Sequence, residues 1–213
     1  MRYAKTLALA LLAILAISPV TASPARAAEA SLLGAKGEST TKDNGTATFE
    51  STGGGIAVKC TSSEGKLTEI TSTSAQLDEL LLGCTAGGFK CTGLKDATTG
   101  SILLRIFRRS YGLILFGHLV YGWVEEVQEP VHFECLGVLT EVRGSVVGTV
   151  TNANGEKTTK VTSSFVGKEG KQEVTEVEGV NHHLESETGG SAFVESSLNQ
   201  NVTETGSEVE VMY

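Results

Sequence analysis

Three features of the 213-residue chain predict an all-β fold: an antiparallel sandwich or distorted barrel with two disulfides, preceded by a signal-peptide helix. Past the first thirty residues Thr, Val, Ser and Gly dominate, and hardly any run of Ala, Leu, Lys and Glu falls at helical spacing. Short β-type runs recur between Gly, Asn and Ser turns at roughly even intervals, the pattern of a sandwich or barrel. The 4 cysteines all lie beyond the opening segment, where pairing would staple strands together.

The opening segment carries Arg2 and Lys5, an apolar run from about Leu7 to Ile17, then Pro19, Pro24 and Ala25-Arg26-Ala27. A charged start, a short apolar stretch and a small-x-small site describe a secretory signal peptide over residues 1–27. The run is too short to span about 30 Å of hydrocarbon as a helix, so no stable membrane span is expected after cleavage. The chain has 17 basic and 25 acidic residues. Removing Arg2, Lys5 and Arg26 leaves 14 against 25, a net charge of −11. Such an acid excess repels phosphate backbones and anionic lipid surfaces, which argues against a nucleic-acid or peripheral membrane partner, and fits solubility outside the cell.

Residues 28–45 read as a flexible lead-in of small polar residues, with order beginning near Thr46 and a single β domain over 46–213. Ile56, Val58 and Cys60 alternate onto one strand face. The run SAQLDELLLGC, residues 74–84, suits one helical turn or a strand, and its direct passage into the cysteine hairpin favours the strand. The most apolar part, residues 101–127, reads as core strands turning near Ser110-Tyr111-Gly112, with a helix left open. Val131, Phe133, Cys135 and Leu139 share a face, Gly144 to Gly148 marks a bend, and Asn154-Gly155 marks a tight turn. Beyond it, short strands alternate with turns to the C-terminus.

The stretch GCTAGGFKCTG, residues 83–93, places Gly87-Gly88 midway between two cysteines. A two-residue hairpin there sets Ala86 against Phe89, Thr85 against Lys90 and Cys84 against Cys91. Directly opposed Cα atoms lie about 4.5–5.5 Å apart, within disulfide range, so the expected bridges are Cys84–Cys91 and, by remainder, Cys60–Cys135. The six-residue gap suits neither a zinc site nor a redox pair, and no metal or cofactor is expected.

The order of TFESTGGGIAVKCTSSEGKLTEI, LLLGCTAGGFKCTG, TTGSILLRI and VHFECLGVLTEVRGSVVG, over residues 46–150, resembles a group of exported, cysteine-containing β-rich proteins of actinobacteria. The shared marks are Cys60 after a glycine-rich strand, the Cys84/Cys91 pair, and Phe133-x-Cys135-x-Gly137. The resemblance implies export and fold, with no catalytic residues to carry over.

His132/Glu134 and His183/Glu185 each share a strand face, a geometry that serves acid–base or metal chemistry. No third ligand falls at a recognisable spacing, and neither a G-x-S-x-G elbow nor a phosphate loop occurs. Arg105, Arg108 and Arg109 stand beside Tyr111, Phe116, Tyr121 and Trp123, and aromatic faces with arginine suit a sugar or polyanion site. The plainer reading makes the aromatics core and the arginines a solvated sheet edge. The sequence thus points to a secreted or cell-surface non-enzymatic module, with cell-wall glycan or an envelope protein as partner. A secreted hydrolase built on His118, His132 or His183/Glu185 is the alternative. Another is a small-ligand carrier, which needs an apolar barrel cavity of at least about 300 Å³.

Overall fold

The computed structural model describes residues 32–34, 38–43, 45–71, 73–95, 97–115, 118–150 and 157–211. The signal-peptide segment and the Asn154-Gly155 turn lie outside the described residues. Strands β1 (Leu32–Gly34), β2 (Glu38–Asp43), β3 (Ala47–Ser51), β4 (Ala57–Cys60), β5 (Ser62–Thr71) and β6 (Ser74–Leu82) come first. They lead into β7 (Thr85–Ala86), β8 (Phe89–Gly93), β9 (Ser101–Leu115), β10 (His118–Val127), β11 (Val131–Cys135) and β12 (Val138–Val150). Next are β13 (Lys157–Phe165), β14 (Gly167–Lys168), β15 (Lys171–Gln172), β16 (Glu176–Val177) and β17 (Val180–Asn181). The chain closes with β18 (Leu184–Thr188) and β19 (Val194–Val211). No α-helix occurs among the described residues, so the Ser74–Leu82 run is a strand and residues 101–127 hold no described helix.

The antiparallel pairings close on themselves twice. One ring runs β2-β5-β6-β9-β10-β12-β13-β19 and back to β2. The other runs β3-β4-β7-β8-β11-β12-β18-β19 and back to β3. The long strands β12 and β19 belong to both rings. Within the rings, closure pairs the strands on both sides, which leaves β1 and the two small hairpins β14–β15 and β16–β17 as the described strands outside them with an open edge. At Gly144 the partners of β12 change: Val138–Gly144 lies between β11 and β18, and the rest between β10 and β13. Gly144 has φ 103°, and a Cβ there would strike the His183 carbonyl. That carbonyl accepts a hydrogen bond from the Ser145 N–H at 3.0 Å.

Strand alternation fills the second ring with apolar side chains. Val58, Phe133, Val142, Leu184 and Leu198 meet Leu81, Ile102, Val146, Phe165 and Val202 of the first ring in one continuous core. A cavity of about 70 Å³ remains in it, lined almost wholly by apolar side chains.

Four expectations are corrected. The Gly87-Gly88 hairpin forms with the expected register, Thr85 against Lys90 and Ala86 against Phe89, yet the disulfides are Cys60–Cys84 and Cys91–Cys135. The four cysteines form a row across β4, the start of β7, β8 and β11, and each bridges outward from the hairpin. Cys91 N–H donates to the Cys84 carbonyl at 2.9 Å, so that pair is used for a backbone bond, the position with the wider Cα spacing of about 5.5 Å. The bridged pairs have Cα atoms 3.9 and 4.3 Å apart. Second, β1 and β2 fall within the stretch read as a flexible lead-in, and β2 closes the first ring between β19 and β5. Third, β9 runs straight through Ser110-Tyr111-Gly112 and pairs with β10 as far as Leu115 and His118. Fourth, Leu139 does not share the Phe133 face. The turn at Leu136-Gly137, with φ 54° and 78°, sets it opposite outward-facing Glu134.

Candidate functional site: a groove on the outer wall of the first ring

The basic cluster of the sequence is divided by the period of the strand. On β9 the even-numbered residues Ile102, Ile106, Arg108 and Ser110 are buried, and Arg105 and Arg109 lie on the other face. Arg108 is 2 % exposed. Its Nε donates to Glu125 Oε1 at 2.8 Å and its Nη1 to Glu204 Oε2 at 3.0 Å, and the guanidinium sits 5.0 Å from the Trp123 ring centre. Burial opposes its charge, but Glu125 and Glu204 outweigh burial and hold its pKa above the ordinary arginine value. Trp123 Nε1 donates to Ser163 Oγ at 2.6 Å, and Tyr121 is buried beside it in the chain. Arg108, Tyr121 and Trp123 are therefore interior groups, outside any surface site.

The same interior holds a third carboxyl. Glu79 accepts from Ser63 Oγ at 2.6 Å and from Gln200 Nε2 at 2.7 Å, both at Oε1. Burial, reinforced by nearby Glu125, raises its pKa to about 7. A buried ion network of this kind contributes little net stability over an apolar core, but removing one charge strands the others. It is structural in character: every member is tied to a wall strand.

Arg105 lines a shallow recess with Lys95, Glu129 and His132. There Lys95 Nζ donates to Glu129 Oε2 at 2.8 Å and holds that carboxyl below its usual range. Arg109 and Tyr111 line a different groove of about 210 Å³, together with Phe107, Glu126 and His182. The pairing register builds it: Phe107 stands opposite Glu126, Arg109 opposite Val124, and Tyr111 opposite Gly122, where no side chain fills the space. The far wall is the small β16–β17 hairpin, turning at Glu178-Gly179 with φ 54° and 78°. Val177 anchors it against Val124 and Val147. The Arg109 guanidinium lies 5.3 Å from the Phe107 ring centre. His182 Nδ1 is 3.0 Å from Ser145 Oγ. Partial burial, opposed by Glu126 and aided by His183, lowers the His182 pKa. The groove thus offers two aromatic faces, a guanidinium, a carboxylate and an imidazole.

The histidines proposed for hydrolysis stand apart. His132 pairs with Glu141 at 3.1 Å, and His183 lies 3.5 Å from Glu185, whose other oxygen takes Arg143 at 3.0 Å. His132, His182 and His183 line three separate depressions. The His118 side chain lies outside the description. Among the described residues no group of three or more His, Cys, Asp or Glu side chains is placed to hold a metal ion. Sequence reasoning missed Phe107, Glu126 and His182. The alternation of Phe107, Arg109 and Tyr111 was a readable signal, whereas the approach of His182 depends on a hairpin folding back over the wall.

The fold and groove define a double-ring β protein stapled by two disulfides, bridges that persist in oxidising compartments. Comparison with known protein families, curated proteins and solved structures finds no match to the chain.

Proposed function

We propose that the protein is an exported, non-enzymatic binding module of the cell envelope, with the Phe107–Arg109–Tyr111 groove as its ligand site and a cell-wall saccharide as the ligand class. The observation that carries this reading is the composition of the groove. Aromatic faces stack on the apolar side of a sugar ring, while Arg109, Glu126 and His182 supply donors and acceptors for its hydroxyls. Its volume of about 210 Å³ is below the usual range of about 300–1,000 Å³ for drug-sized ligands, which favours a single ring or chain end. Export is supported by the opening segment and by the paired cysteines. Ligand carriage is disfavoured, because the apolar cavity of about 70 Å³ is far smaller than the volume a carrier requires.

The test is binding of the processed protein to glycan and cell-wall arrays, repeated with Arg109→Ala and Tyr111→Ala. Both side chains are on the outer wall, so the variants keep the fold. Each is expected to weaken binding at least about tenfold, the equivalent of 1.4 kcal/mol. Retained binding in both variants would remove the groove from the account.

A further inference from the structure

Strands β9 and β10 outrun the ring that they help to close. β6 accompanies β9 only as far as the Ser74–Arg109 pair, and β12 accompanies β10 only from the Gly122–Thr149 pair. Beyond these points the two strands continue as a ribbon, paired with each other through Leu113–Val120, Ile114–Leu119 and Leu115–His118. Residues 110–124, which include it, form the longest stretch beyond the opening segment without Asp, Glu, Lys or Arg. Strand alternation assigns Leu113, Leu115 and Val120 to one face and Ile114 and Leu119 to the other. Both faces are therefore apolar in sequence, whereas a wall strand with one side in water keeps a polar face.

The main chain of the ribbon selects what it can meet. Ser110 N–H donates to the Thr73 carbonyl at 2.9 Å, so the backbone groups of Ser110 point away from β10. Those of Gly112 and Ile114 point the same way by alternation, and among the described residues no strand pairs with them. Hydrocarbon offers such groups no partner, which disfavours lipid as the cover of an open-edged ribbon. An extended strand does offer one, and an apolar, uncharged edge is a template for it. Charge then narrows the choice of strand. The chain is acidic, so two copies repel each other except where charges are lacking, and this ribbon, standing beyond the ring, is such a place. Paired antiparallel with the same edge of another copy it makes an isologous contact, in which each apolar residue gains an apolar cross-strand neighbour.

We propose that the protein dimerises through this ribbon, the Ser110–Leu115 edge of β9 pairing antiparallel with the same edge of a second copy. The contact uses the main chain of β9 on the side away from β10, so it does not depend on the saccharide reading of the groove, and either can fail without the other. The test is sedimentation velocity of the processed protein as wild type, Ile114→Pro and Leu119→Pro. Ile114 and Leu119 face each other as an outward-pointing pair, so neither N–H is used between β9 and β10, and proline is tolerated at a strand edge. An unchanged circular dichroism spectrum confirms that each variant is folded, and Gly112→Pro repeats the test at the neighbouring outward position. Wild type and Leu119→Pro are expected to sediment as dimers, and Ile114→Pro to weaken self-association at least about tenfold. A wild type that stays monomeric would overturn the proposal, as would a dimer unaffected by Ile114→Pro and Gly112→Pro. Equal loss of the dimer in Leu119→Pro would also overturn it, by assigning the contact to the β10 edge or to the apolar faces.

Discussion

Glu79 is a carboxylic acid with 1 % exposure, and its two donors, Ser63 and Gln200, both address one oxygen. Its pKa of about 7 against an ordinary 4.5 links folding to pH with a definite sign. Between these values the native state keeps a proton that the unfolded chain has released, so this group's contribution is full below pH 4.5 and declines as pH rises toward 7. The shift corresponds to about 3 kcal/mol across the window. Urea unfolding of wild type and Glu79→Gln, at the two ends of the window, checks this. Wild type should lose stability relative to the variant as pH rises, and parallel profiles would show that Glu79 is ionised in the native protein. The residue scale also shows what a cluster in sequence conceals. Arg108 and Arg109 are neighbours in the chain yet lie on opposite sides of the wall, one in a buried ion network and one in an open groove. Counting positions in steps of two separates them. The partners of Arg108, Glu125 and Glu204, were not legible, because they come from strands whose register depends on ring closure.

At the scale of elements, the local signals were the readable ones. The Gly87-Gly88 pair fixed a hairpin and its register, and alternation placed Val58, Cys60, Phe133 and Cys135 inside. Disulfide pairing was not readable from the hairpin alone, since a cysteine has a neighbour on both sides of its strand. The backbone bond from Cys91 to Cys84 leaves the closer approach to β4 and β11. Gly144 shows the same dependence on distant partners. A bend was legible in its sequence, but its function as the point where β18 leaves β12 was not. Gly144→Ala forces a side chain into a positive-φ position and against the His183 carbonyl. The expected cost is about 1–3 kcal/mol, read as a lower urea midpoint. An unchanged midpoint would mean that β12 does not switch partners there.

At the scale of the whole molecule, two rings share β12 and β19, and the cysteine row crosses the wall of the second ring. On the loop-entropy model the bridges, closing 24 and 44 residues, stabilise by about 3.5 and 4 kcal/mol. The two are of nearly equal weight because the loop contribution grows only with the logarithm of the residues closed. The row exists only if β4, β7, β8 and β11 are consecutive in space, so the pairing pattern reports on the ring itself. Non-reducing tryptic mapping of the processed protein reads it directly, since cuts after Lys66, Lys90 and Lys95 separate all four cysteines. The double-ring account predicts residues 60–66 linked to 67–90, and 91–95 linked to 110–143. Residues 67–90 linked to 91–95 would place Cys84 on Cys91 and contradict the strand order on which the fold rests.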